Sequence, residues 1–381
     1  MITEFHQEEN AMRSGSKGNR CFFITVVSVC FSISVFVFSI PVYAGGDIMA
    51  WGTNWSGELN VPEPNTGFRA IAAGRNWSLG LKANGSIVGW GDNINGQCDV
   101  PLPNTNFRAV AAGYSHALGL KSNGSIAAWG NNVHNQCTVP LPNTGFVAIA
   151  GGELHSLGLK ADGSIVAWGY NGYGECNVPE PNTGFTAVAA GECFSLGLKT
   201  DGSIVAWGSN NYGQCTVPLP NVNFTAIACG LHHSLGLKTD GSIVCWGYNG
   251  YGQCNVPWPN TGFTAISSNT GALHSLGLKA NGSIIGWGDN SYGQRTVPSP
   301  NTGFAAIAAG GSHSLGLKKV DVCEYNLDGD LNDDCKVDFY DLAIMGNSWL
   351  ADYDMYDLKI LTTDWLIDCI EEPFNPACVL K

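Results

Sequence analysis

Residues 330–341 carry oxygen donors at the spacing of a calcium loop. Asp330, Asn332, Asp334, the main-chain carbonyl of Lys336, Asp338 and Asp341 fall at positions 1, 3, 5, 7, 9 and 12. Calcium takes six to eight hard oxygen ligands, and alternating carboxylates and amides in a twelve-residue turn can converge on it. One calcium ion is therefore the expected cofactor, although Cys335 occupies position 6, where glycine normally makes the sharp turn. A helix-like apolar run follows, and Asp357–Leu366 echoes Asp341–Leu350 without room for a second full loop.

Glu153 and Glu192 stand at one position of successive repeats. They are the pair to consider for glycoside hydrolysis, which needs two carboxylates about 5–10 Å apart. The chain has no nucleophile elbow, phosphate loop or zinc-ligand spacing, so a non-enzymatic protein is expected. His116, His155, His233, His274 and His313 recur in register, with Trp77 and Phe194 at the same place in two units. Recurrence in nearly every unit suits a packed, hydrogen-bonded histidine better than a metal ligand, because a metal site needs converging donors. Cys98, Cys137, Cys176, Cys215 and Cys254 also share a position and read as small buried thiols.

The repeat positions all of these. Trp51, Trp90, Trp129, Trp168, Trp207 and Trp246 follow one another at 39 residues and Trp287 at 41, a period that fits propeller blades. Six Asn-Gly or Asp-Gly pairs, from Asn84-Gly85 to Asn281-Gly282, mark hairpins with expected type I′ turns. A preceding run such as FRAIAAG supplies another strand, and a CTVP-like piece would add an outer edge strand, giving three or four strands per unit. The small residues in these runs fit sheets that converge on an axis, and the tryptophan would fill the gap between neighbouring sheets. Asn54, Asn93, Asn132, Asn171, Asn210, Asn249 and Asn290, each three residues after a tryptophan, suit turn-stabilising side chains. The seventh hairpin turn is missing, so residues 48–52 should pair with 314–318 and close an all-β, seven-bladed ring over residues 45–318.

Positions that differ between blades carry recognition in such a scaffold: Arg75, Trp77, Tyr114, Glu153, Glu192, Phe194 and His232 should gather near the axis on one face and bind a protein. Trp55, Tyr170, Tyr173, Tyr212, Tyr248, Tyr251 and Tyr292 mark a second candidate surface, where a glycan could stack.

The segments WGSNNYGQC (207–215), WGDNSYGQR (287–295) and AAGGSHSLGLK (308–318) resemble the regulator of chromosome condensation repeat. That resemblance implies a seven-bladed β-propeller and a protein-binding habit, and it extends to secreted bacterial relatives such as β-lactamase-inhibitory propellers. The family's founder is an exchange factor for a small GTPase that also binds chromatin. An exported acidic chain is expected to have neither a small GTPase nor nucleic acid as partner. The loop at 330–341 resembles a type I dockerin, which implies a small helical module over 319–381 with a cohesin-like or cell-surface partner; Phe339 and Tyr340 stand at positions 10 and 11, where dockerins dock on cohesins, and depart from the family's pattern there. Dockerin-like tails often accompany polysaccharide-degrading enzymes, so a carbohydrate-binding role is the alternative reading.

Lys+Arg number 18 against 31 Asp+Glu, and the excess sits at the end: residues 319–381 hold 15 acidic and 4 basic side chains, residues 45–318 hold 13 and 11. Arg13, Lys17 and Arg20, the apolar run Cys21–Ile40 and the small-residue site before Gly45 form an export signal over residues 1–44. A secreted or cell-surface protein with an extracellular partner follows. Cys323, Cys335, Cys369 and Cys378 fit two disulfides in a small exported module, with three connectivities open.

Overall fold

The computed structural model describes residues 46–319, so the export segment, the calcium loop and the tail cysteines lie outside the described residues. Twenty-one strands, β1–β21, form seven three-stranded antiparallel sheets with no helix among the described residues. The first blade shows the rule: β2 (Phe68–Ala73) runs up along the axis, β3 (Trp77–Lys82) returns, and β4 (Ile87–Gly91) runs up outside it. Innermost strands of consecutive blades touch all the way round, including first against seventh, so the ring is closed. The CTVP-like segments form no fourth strand. Their prolines lack an N–H for a ladder, and each segment instead crosses to the next blade.

Closure occurs where expected. β1 (Ile48–Gly52) pairs with β21 (His313–Lys318) from Ile48 opposite Leu317 to Gly52 opposite His313, beside β20 (Phe304–Ala309). The hairpins depart from type I′, because only the glycine of each pair adopts positive φ (+81° at Gly85) and Asn84 does not. The loop is three residues long, closed by the left-handed glycine, while Asn84 Oδ1 accepts from the N–H and hydroxyl of Ser86.

Packing between blades repeats. Trp129 joins Leu79, Leu81 and Ile87 of the preceding blade, and Trp168 does the same with Leu118, Leu120 and Ile126. Each indole N–H is also used: that of Trp168 donates to Gln136 O at 2.8 Å and that of Trp51 to Gln294 O at 2.9 Å. Gly80 leaves room for the Phe68 ring, since a Cβ there would lie 2.3 Å from it. All seven Asn side chains accept from a backbone N–H five residues on, from Leu59 to Arg295.

The histidines are buried bridges between blades. His116 Nε2 meets Ser156 Oγ at 2.9 Å, and His155, His233, His274 and His313 reach the next blade's serine in the same way. Ser156 already donates its hydroxyl proton to Gln136 O, so the imidazole must donate through Nε2, leaving Nδ1 without a partner. Burial pushes these histidines down to about 4 (His116, His313) and about 3 (His155, His233, His274).

One blade pair breaks the pattern on both sides. Trp77 replaces the histidine, and the facing residue on the next blade is Ala117 where the other blades have serine. Without a hydroxyl to bridge, an indole fills the gap and donates its N–H to Tyr114 O of the next blade at 2.9 Å. Trp77→His should therefore cost about 3 kcal/mol, through a cavity and an unpaired Nε2. Adding Ala117→Ser should return about 1 kcal/mol by recreating the bridge. A denaturant double-mutant cycle checks this, and additive effects would refute the coupling.

Candidate functional site

In a three-stranded meander the inner and outer strands end at the same edge. The loops after each inner strand and those after each tryptophan strand therefore share one face of the ring. The two surfaces expected from sequence are thus one: Tyr212, from a tryptophan loop, stacks on His232, from an inner loop, with ring centroids 4.6 Å apart and planes at 26°. Tyr248 meets both rings edge-on, and Tyr251 extends the series.

The inner circle is tied by backbone bonds between blades. Arg75 N donates to Tyr114 O, Tyr114 N to Gly152 O, Glu153 N to Gly191 O and Leu231 N to Ala272 O. Arg75, Tyr114, Glu153, Glu192 and His232 project from this tied rim. The Arg75 guanidinium lies 4.7 Å from the Tyr114 ring centre, and Glu192 Oε2 lies 2.8 Å from His232 Nδ1. Burial, and then the charge of Glu192, raise the Glu153 carboxyl above its ordinary range, against the opposing pull of Arg75 and His232. An outer circle of exposed groups surrounds this rim: Trp55 (73% exposed), Ile94, Val133, Tyr173, Tyr212, Tyr251 and Tyr292.

Two expected site residues do not belong to the face. Trp77 is 1% and Phe194 0% exposed; both occupy the histidine position in β3 and in Phe194–Lys199, where the side chain turns into the inter-blade core. Blade-to-blade variation marked them, but that variation is a packing substitution.

Two features escaped the sequence reading. The two-residue excess of the 41-residue unit lies in the inner loop 268–273, and Asn269 Nδ2 there crosses the axis to donate to Ala73 O (2.7 Å) and Ala112 O (3.2 Å). It plugs the face end of a central cavity of about 160 Å³, walled by Ala and branched aliphatics from Ile71 to Ile307. The lengthened interval was its signal. Cys254 is not a free thiol as its register implied: it bridges Cys245 of its own blade, Cα atoms 5.0 Å apart. The equivalent partner position is Gly89, Ala128, Ala167, Ala206 or Gly286 elsewhere, so Cys98, Cys137, Cys176 and Cys215 stay reduced and half-buried. Burial pushes those four thiols up to about 12, and each donates to a carbonyl six residues back. No group of three or more metal-binding side chains occurs among the described residues.

The model of the regulator of chromosome condensation (RCC1) repeat matches residues 68–97, 107–136, 146–175, 185–214, 224–253 and 263–294. Residues 68–294 thus carry six RCC1 repeats. The seventh unit goes unmatched because it is divided between residues 304–318 and 46–58. Among solved structures, yeast RCC1 (Prp20) bound to Kap60 is similar at 20% identity and TM-score 0.63, over 81% of this chain and 97% of that one. Human WBSCR16 is similar at 20% identity and TM-score 0.57, over 72% and 99%. Likeness at this identity shows the shared fold alone. A search of curated proteins found no match.

The exclusion of a small GTPase partner is corrected by these neighbours. Prp20p of Saccharomyces cerevisiae, similar at TM-score 0.60 and 20% identity over 73% of this chain and 93% of that one, was solved together with its binding properties to Gsp1p and histones. The exclusion rested on export and on whole-chain acidity, and the acidity belongs to residues 319–381, outside the matched repeats.

Proposed function

We propose that this RCC1-repeat propeller is a non-enzymatic scaffold that binds a protein through the face bearing Arg75, Tyr114, Glu153, Glu192 and His232. The observation that carries the reading is the contrast between a uniform wall and a non-uniform rim. Buried His–Ser bridges and indole bonds recur from blade to blade, while the rim above them varies, with Arg75, Tyr114, the successive Glu153 and Glu192, and His232. Rigid placement of mixed aromatic and charged groups is what an interface hot spot requires. Export and attachment through a calcium-loaded tail complete the proposal. They are supported by the signal-like residues 1–44 and the loop residues Asp330, Asn332, Asp334, Lys336, Asp338 and Asp341, and the Cys245–Cys254 bridge suits an oxidising compartment.

Affinity capture from the native extracellular fraction tests the reading. A captured protein that is lost with Tyr212→Ala or Arg75→Ala, but kept with Asp201→Asn at the opposite end, is the expected result. Capture indifferent to the face, or glycan-array binding lost with Tyr251→Ala, would overturn it. Calorimetry of the full chain should give about one calcium per molecule; two sites or none would reject the tail assignment.

A further inference from the structure

Charge in the ring is segregated between its two ends. Of the 13 acidic and 11 basic side chains in residues 45–318, the loops of the face hold seven acidic and only two basic, Arg75 and Arg295. The remaining six acidic and nine basic side chains lie toward the opposite end. There the seven repeat lysines, from Lys82 to Lys318, bind carbonyls of the proline loops, and Arg69 and Arg108 bind Phe107 O and Phe146 O. A nearly neutral ring thus has one face of net −5 and one end of net +3.

The negative character is strongest over the third to fifth blades. Arg75 is engaged on Tyr114 in the first two blades, and Arg295 stands on the outside of the sixth. Between them Glu153 and Glu192 lie beside His232, with the opposing charge of Arg75 also felt at Glu153, and are walled by Tyr212 and Tyr248 and by the half-exposed Tyr173 and Tyr251. Carboxylates beside tyrosine faces favour a cationic side chain twice over, through charge-assisted hydrogen bonds and through the ring quadrupole. Glu153 has no hydrogen-bond donor of its own within the ring, so its carboxylate is available to one brought by a partner.

We propose that this sector docks a basic segment of a protein partner, seating a Lys or Arg side chain at Glu153 and Glu192 against the Tyr212 and Tyr248 rings. The inference rests on the protein-binding reading above and narrows it to the chemistry of the partner.

The test uses the full chain and three labelled peptides of equal length: one rich in Lys and Arg, one with Glu in those places, and one with Ser. Fluorescence anisotropy should show the basic peptide binding at least about tenfold tighter than the Ser peptide. That affinity should fall severalfold between about 50 and about 200 mM salt, as screening requires. Glu153→Gln with Glu192→Gln should weaken it about tenfold and Tyr212→Ala severalfold, whereas Asp162→Asn at the opposite end should change nothing. Glu153→Gln alone, which leaves the Glu192–His232 pair intact, should still cost severalfold. Equal binding of the three peptides, or binding unmoved by the two glutamine substitutions, overturns the proposal. A partner captured through the face yet indifferent to Glu153→Gln would sink this inference and leave the protein-binding reading standing; no captured partner together with equal binding of the three peptides would sink both.

Discussion

Acidifying the protein from pH 7.5 to 5.5 should remove on the order of 7 kcal/mol of folding stability, long before its carboxylates titrate. The five bridging histidines are fully buried and held at about 3 to 4, whereas in the unfolded chain they would protonate near the ordinary 6.5. A depressed folded pKa means that the unfolded state binds more protons throughout the interval between the two values. Stability is therefore complete above about 6.5 and is lost as pH falls toward 3 to 4. Each histidine contributes about 1.4 kcal/mol per pH unit inside that window, so five titrating together give a slope of about five protons. Glu153 and Glu175 are raised instead, by burial first, and act with the opposite sign. Urea denaturation at half-unit pH steps measures the slope. His155→Phe is the informative variant, because Phe194 already fills the equivalent pocket against Gly191 as His155 does against Gly152. It should lower the slope by about one proton while keeping the ring folded. A flat profile from 7.5 to 5.5, or an unchanged slope in the variant, would show that the bridges do not govern acid stability.

The fold was legible because its causes repeat. One tryptophan in seven registers, a glycine-containing turn in six and a split final unit leave little freedom beyond a closed ring. The pairing of Ile48–Gly52 with His313–Lys318 follows from the need to bury two strand edges. What could not be read was whatever a single blade does differently. Trp77 and Phe194 look like surface variation until the facing residue is known, and that residue lies about forty positions away on the next blade, as Ala117 does for Trp77. Asn269 looks like a loop residue, and only the closed geometry brings it within reach of carbonyls in the first and second blades. Cys245 departs from its repeat by one small residue, and the bridge it forms depends on a hairpin return that brings its Cα to 5.0 Å from that of Cys254.

The same contrast separates structure from recognition. Groups repeated on every blade satisfy needs each blade has, namely a capped turn, a filled gap and a used indole N–H. Arg75, Tyr114, Glu153, Glu192 and His232 occupy a rim whose backbone is tied to neighbouring blades at Arg75, Tyr114, Glu153 and Leu231, bonds that do not depend on the side chains. Their partial burial tightens that point. Raising the Glu153 carboxyl by burial beside a second carboxylate works against the folded state, and in a protein that binds through this rim the partner supplies the compensation.

Removing residues 46–52 should have the largest mechanical consequence, since it opens the ring. The truncation strips β21 of its outer partner, exposing the backbone N–H and carbonyl groups of His313–Lys318 along with Leu315 and Leu317. It also deletes Ile48 and Trp51, buried to 4% and 5% exposure, and the indole bond to Gln294 O. Losing one such tryptophan costs about 3–5 kcal/mol and a buried isoleucine about 2–5, so the loss approaches the whole stability of an ordinary domain. The unpaired edge should then pair with another molecule, giving concentration-dependent oligomers in sedimentation. Trp51→Ala is the milder test: it should melt well below the native protein, and hydrogen exchange should open at the final blade first, whereas Trp168→Ala should open the third. A synthetic peptide of residues 46–58 added to the truncated chain should restore the monomer by supplying the strand in trans. If the truncated protein stays monomeric with an unchanged melting temperature, the latch is dispensable, and the stability of the ring must come from the blades one by one instead of from their closure.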